Sequence, residues 1–289
     1  MAVFADPATS VPAFEGLLFA VSLGAGLVGA VLGLGGGIVV VPALTLGFGV
    51  NIRYAIGASI VSVIATSSGA AASYVRDHIT NLRVAIFLEV ATTLGALSGG
   101  FLADRFSRAA LFRIFAGMLM FSAALMFVKR KQSEELAPGH SSRLARRLGL
   151  PSEYPDAQKD RAIAYGVRGV GLGFFLMVGA GLISGLLGVG SGALKVPAMD
   201  GAMRLPIKVS SATSNFMIGV TAAASAGLYY MRGSILPILA APVSLGVLCG
   251  SFIGAKWMPR LKSESLRVAF FVVLCVLALQ MALRGKGGG

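Results

Sequence analysis

Charge is what this sequence has little of. Only 13% of the residues are charged while 56% are hydrophobic, and the mean hydropathy is +0.82; soluble domains carry about a quarter charged residues. That balance excludes an ordinary soluble domain and points to a membrane protein. Acidic residues are scarcer than basic ones, 12 against 25, for a formal net charge of +13. Such an excess suits nucleic acid only when it forms a stripe on a polar domain. Here the basic residues flank apolar runs, so the expected surroundings are a lipid bilayer and no nucleic acid.

Cysteine and histidine are nearly missing. Cys249 and Cys275 lie in apolar segments without CxxC spacing, and His78 and His140 lie in polar connections. A disulfide framework, a metal centre and a haem site are therefore not expected, and no cofactor is called for. No GxxxxGK[ST] motif occurs, which removes ATP-driven pumping by this chain alone. No nucleophile and base pair or carboxylate cluster stands out, so an enzyme is not expected. Residues Met1 to Glu15 carry Asp6 and Glu15 and no basic run, and do not read as a cleaved signal.

Glycine, by contrast, is abundant, with 39 residues. Two runs interrupt apolar sequence: Leu32-Gly33-Leu34-Gly35-Gly36-Gly37 with Pro42, and Leu187-Gly188-Val189-Gly190-Ser191-Gly192 with Pro197. The offset is 155 residues for Gly33 to Gly188 and for Pro42 to Pro197 alike, and it also superposes Gly26 on Gly181, Ser59 on Ser214, Thr66 on Thr221, Tyr74 on Tyr229, Gly95 on Gly250, Gly99 on Gly254 and Arg105 on Arg260. A duplicated unit with one broken helix per copy is the simplest reading. Broken backbone at membrane depth is tolerated only where protein or a water-filled cavity surrounds it. Paired interruptions at matching positions point to a transporter's substrate site.

A span needs about 20 apolar residues. Candidates run over about 16–34, 54–75, 84–103, 110–128, 163–187, 211–231, 235–255 and 266–283. The stretches Ile38–Gly49 and Ala193–Met203 are too short to cross and read as half-helices, continuing past a kink or turning back. The expected fold is an all-α polytopic membrane protein of two homologous repeats, inverted or parallel, each of about four transmembrane helices. The divisions are a first repeat over 1–128, a polar loop over 129–161 and a second repeat over 162–289. The basic loop belongs in the cytoplasm by the positive-inside rule. Four crossings per half then place both termini there as well, with Arg105, Arg108, Arg113, Lys256, Arg260, Lys262 and Arg267 on the far side. Gly95 with Gly99, Gly250 with Gly254, and Gly181 with Gly185 have the spacing of close helix packing.

A helix N-terminus presents unpaired N–H groups and partial positive charge, and a glycine run lets successive N–H groups curl around an anion. Gly35, Gly36 and Gly37 with Gly190, Ser191 and Gly192 are accordingly the candidate substrate cradle. Where the first copy has Val40 the second has Lys195. Its side chain points back toward the half-helix start. It either adds a cation to the cradle, snorkels to an interface, or pairs with Glu89 or Asp200. Hydroxyls crowd the following span of each half, and Ser59, Ser214 and Asn215 are the candidate neutral donors. Bonding to their own helix carbonyls is the competing fate. Glu89, a carboxyl inside the apolar segment Ala85–Phe101, is either a coupling group or the partner of a basic residue.

At these residues the sequence resembles the TauE/SafE sulfite-exporter family of membrane permeases. The resemblance is carried by Gly26-Leu27, by Leu32 through Gly37 to Pro42-Ala43-Leu44, by Ala55-Ile56-Gly57-Ala58-Ser59, and by Leu186–Pro197 with Ala212-Thr213-Ser214-Asn215. It covers nearly the whole chain outside Lys129–Arg161. It implies a multi-pass protein of the cell inner membrane that exports sulfite, a sulfonate or a similar small anion by alternating access. Self-association stays open. An inside-negative potential favours anion exit by about 2.3 kcal/mol per charge per 100 mV, and proton coupling through Glu89 is the alternative. Competing readings are a carrier of short carboxylates and a non-transporting membrane subunit or enzyme.

Overall fold

A computed structural model describes residues 11–129, 140–156, 158, 161–188 and 190–286. Asp6, Val189 of the second glycine run and 130–139 of the polar loop lie outside the described residues. The helices are α1 (Val11–Leu32), α2 (Gly37–Pro42), α3 (Ile52–Arg76), α4 (Leu82–Leu102), α5 (Arg108–Lys129), the short α6 (Arg143–Arg147), α7 (Val170–Leu187), α8 (Gly192–Pro197), α9 (Ile207–Met231), α10 (Pro237–Trp257) and α11 (Ser263–Lys286). A small antiparallel hairpin, β1 (Ser152–Asp156) with β2 (Arg161–Tyr165), sits in the polar loop. It occupies the start expected for the fifth span, which begins instead at Val170 after a left-handed Gly169.

Among the described residues, seven helices are long and apolar enough to cross a membrane: α1, α3, α4, α5, α7, α10 and α11. The eighth expected span, α9, is a helix as long as α3 but is not among them. It carries Lys208, Ser210, Ser211, Thr213, Ser214 and Asn215, all buried inside the protein. Asn51 and Asn81 begin α3 and α4 by accepting from Arg53 N and Val84 N, so each helix starts where a side chain satisfies an orphan donor. Pro42 and Pro197 end the regular turns of α2 and α8, because proline cannot donate to the ladder. The next five residues widen into π-helical turns, Ala43–Gly47 and Ala198–Ala202.

Glycine contacts reveal the helix directions. A Cβ on Gly246, Gly250 or Gly254 would stand 2.5, 2.0 or 2.6 Å from the carbonyls of Phe19, Leu23 and Leu27. The contacts advance together along both chains, so α1 and α10 are parallel. Gly95 and Gly99 meet Val178 O and Leu182 O in the same sense, so α4 and α7 are parallel too. In contrast α3 runs opposite to α9: Gly57 abuts Ser234 O beyond the end of α9, while Ser67 touches Gly219 and bonds Asn215 O. With α9 and α10 joined as a hairpin, α1 and α3 must run the same way. The chain achieves this by folding back. A Cβ on Gly29 would lie 2.5 Å from Gly36 N, whereas a continuous helix would carry the chain about 10 Å onward over that interval.

The glycine-broken helices are therefore re-entrant, and α1–α2 and α7–α8 add no net crossing. Each half crosses three times, not four. The described ends, Val11 and Lys286, lie on one face and the described part of the polar loop on the other, which corrects the expectation that they share a side. Lys256, Arg260, Lys262 and Arg267 also move: the last turn of α10 and the turn after it lie on the loop's face, where Gln158 Nε2 donates to Arg260 O at 3.1 Å and Lys208 Nζ to Pro259 O at 3.1 Å. On that face Asn81 ties the loop to the helices by donating to Leu150 O and to the Tyr165 hydroxyl at 2.9 and 2.8 Å. A buried Lys208–Asp156 pair at 3.0 Å adds a second tie.

Candidate functional site

The first break forms because Leu34 N and Gly35 N both reach back to Gly29 O, at 3.0 and 3.3 Å, with Gly33 and Gly35 at φ +71° and +73°. Only glycine takes that left-handed turn without strain. The second break repeats the turn at Gly188 and Gly190, φ +61° and +77°. It then adds Ser191 at φ +55°, where an L side chain is strained. Gly36, at the matching position, has φ −54°. The Ser191 hydroxyl is buried and has no hydrogen-bond partner among the described residues.

Both breaks pack against the middle of α3 and α9. Gly35 lies against Ile218 and Val63, and Gly190 against Val63 and Ile218. The breaks also touch each other: a Cβ on Gly192 would stand 2.4 Å from Gly33 O and 2.5 Å from Leu34 O. The cradle residues Gly35, Gly36, Gly37, Gly190, Ser191 and Gly192 are thus brought together, all of them buried.

Ser59, Ser214 and Asn215 join them in a specific way. Ser59 Oγ donates to Gly188 O at 3.0 Å, and Ser214 Oγ donates to Gly33 O at 2.7 Å. Asn215 Nδ2 donates to Ala30 O and Ser211 O, at 2.8 and 3.1 Å, while its Oδ1 is buried without a partner among the described residues. Tyr74 and Tyr229 act alike, giving their hydroxyls to Ala30 O and Gly185 O at 3.0 and 2.8 Å. Carbonyls orphaned where α1 and α7 stop are therefore satisfied by side chains of α3 and α9. In this conformation the two serines hold the breaks in place, and their protons are committed.

Lys195 and Glu89 form the charged part of the site. Lys195 is fully buried and Glu89 is 9% exposed. Nζ lies 3.7 Å from Oε2 and donates to Thr221 Oγ1 at 2.6 Å. Thr221 in turn donates to Glu89 Oε1 at 2.6 Å, and Thr93 adds a bond to the same oxygen at 3.2 Å. Of the two partners open to Lys195 from sequence, Glu89 is the one it takes; Asp200 pairs with Arg267. Among the described residues, no hydrogen-bond donor reaches Glu89 Oε2. At the positions 155 residues away stand Val40, Ser244 and Thr66, so the charges occur on one side only. Sequence reasoning missed Thr221 as the bridge; its match to Thr66 was the available signal.

A family model described as sulfite exporter TauE/SafE matches residues 18–281. The probable membrane transporter protein YunE of Bacillus subtilis (strain 168) is 25% identical over 276 residues, covering 93% of this chain and 97% of that protein. The probable membrane transporter protein YdhB of the same organism is 26% identical over 255 residues, covering 88% and 94%. The probable membrane transporter protein MJ0441 of Methanocaldococcus jannaschii is 23% identical over 281 residues, covering 92% and 95%. No solved structure matches the chain.

Proposed function

Because the chain belongs to the TauE/SafE sulfite-exporter family of membrane transporters, we propose that it moves sulfite or a related small sulfur oxyanion or organosulfonate by alternating access, binding the anion where the two glycine breaks meet. The observation that carries this reading is the direct contact of two buried breaks at the middle of the helical bundle, with Lys195 on one of the short helices. Freed N–H groups and one ammonium suit an anion without several costly buried charges. Glu89 is the coupling group of this scheme.

Two copies of one unit, divided as 1–128 and 162–289 around the polar loop, are part of the proposal. What supports them is recurrence at one offset: α2, α3 and α5 start 155 residues before α8, α9 and α11. The bonds Ser59 to Gly188 and Ser214 to Gly33 are each other's counterpart in both partners. Since α3 and α9 run oppositely, the copies are inverted. Inverted copies supply two equal-and-opposite shapes, the usual basis of alternating access. The membrane is the cell inner membrane, with the basic loop face in the cytoplasm.

Purified protein in liposomes tests the reading. Labelled sulfite or methanesulfonate is expected to cross with no other subunit present. Lys195→Ala should weaken anion binding and Lys195→Arg retain part of it, because a planar fork replaces a point charge. Flux of short carboxylates alone would replace the sulfur-anion reading with a carboxylate carrier, and no flux of any anion would remove the transport site.

A further inference from the structure

The buried pair says what travels with the anion, an inference that rests on the breaks being the substrate site. Among the described residues, the other charges on the elements packed around it are engaged elsewhere: Asp200, in the turn after α8, pairs with Arg267, and Arg113 of α5 donates to Ala109 O. From α8 comes Lys195 and from α9 the neutral Thr221, while Lys208 of α9 is engaged by Asp156 at the loop face and Tyr229 by carbonyls. From α4 come Glu89 and the neutral Thr92 and Thr93, with Arg83 bonded to Gly149 O at the loop face. Helix α7 contributes no ionisable residue. The occluded centre is therefore neutral, one ammonium and one carboxylate. Burial of net charge is what a low-dielectric site resists.

An anion arriving at Lys195 would make that centre net negative. A proton arriving with it on Glu89 restores neutrality: the carboxylate becomes a carboxylic acid, Lys195 is released, and the ammonium faces the anion. Glu89 Oε2, buried within ion-pair distance of Lys195 and lacking a hydrogen-bond donor among the described residues, is the atom that receives the proton. We propose that this protein is a one-to-one proton–anion symporter selective for monoanions, with Glu89 the proton carrier and Lys195 the anion's counter-ion. Only two occupancies are neutral, the empty ion pair and the pair loaded with one proton and one monoanion, and only these pass through the occluded state. A dianion would leave one charge uncompensated and is rejected. Gradients alone then decide whether net flow is export or uptake.

The test uses full-length protein in liposomes with labelled methanesulfonate, whose single charge does not titrate in the working range, and sulfite in parallel. With membrane potential clamped to zero, one pH unit of acid-outside gradient is expected to sustain about tenfold accumulation. A potential imposed at equal pH should drive none. Glu89→Gln, neutral at every pH, leaves the empty site with the uncompensated charge of Lys195, so only the anion-loaded site passes: net accumulation should vanish under either gradient while one-for-one exchange of labelled for unlabelled anion persists. Wild-type flux that follows potential and ignores the pH gradient overturns the coupling and leaves the transport reading intact. Glu89→Gln flux still driven by the pH gradient overturns it equally. No wild-type flux of either anion fails the transport reading, and the coupling falls with it.

Discussion

Lys195→Met is expected to cost about 3 to 5 kcal/mol of stability. Unit charges separated by 3.7 Å attract by about 4.5 kcal/mol at an effective dielectric of about 20. The bond to Thr221 is lost with the ammonium, and Glu89 is left as a stranded buried carboxylate. Removing both charges in Lys195→Met with Glu89→Gln should recover most of the loss, since a buried pair exchanged for neutral groups is often close to neutral. Reversible unfolding of the four proteins in mixed detergent micelles measures the cycle. Losses that add within about 0.5 kcal/mol across the cycle would mean that the two side chains do not interact, and the electrostatic account of the site would be wrong.

Gly192→Ala places a methyl 2.4 Å from Gly33 O, against backbone that cannot yield, and should cost about 1 to 3 kcal/mol with loss of transport; Gly24→Ala in α1, with nothing within 4 Å, serves as the control and should be neutral or slightly stabilising. Ser59→Ala and Ser214→Ala should each cost about 1 kcal/mol by unpairing a buried carbonyl of the opposite break, measured by unfolding, and wild-type stability in both would remove the two serines as anchors. For topology, with Cys249 and Cys275 replaced, a membrane-impermeant thiol reagent on intact cells should label Glu15→Cys and Ser107→Cys and reach Glu153→Cys only after permeabilisation. Labelling of Glu15→Cys and Glu153→Cys from the same side would restore four crossings per half.

The breaks were legible because a glycine run inside apolar sequence has few other uses, and the constant offset picked out the pairs Ser59 with Ser214 and Tyr74 with Tyr229 that bond matching carbonyls. Reversal of the chain was not legible. The same glycines permit a kink or a return, and the outcome is decided by the close approach of Gly36 to Gly29, a contact that no local pattern encodes. With kink and return left open, the count of four crossings per half put the described ends, Val11 and Lys286, on the wrong face. Glu89 was visible as an oddity, but its partner was open, since Lys195 reaches it only through the packing of α4, α8 and α9. The hairpin hid behind Pro155, which argues against a strand. In a two-stranded hairpin both strands are edges, where proline is tolerated.

Helix α9 has a consequence for how the protein is made. It is the one long helix among the described residues that is not apolar enough to count as a span, yet three anchors of the first break, Ser211, Ser214 and Asn215, belong to it. A nascent chain cannot leave such a segment facing lipid while it waits for partners. Its partner α3 has already been synthesised when α9 emerges, and offers an antiparallel surface to receive it. Insertion of α9 is therefore an act of tertiary assembly, so substitutions on α3 that spoil this surface should appear first as failed membrane integration of the second half, long before any effect on transport is measured.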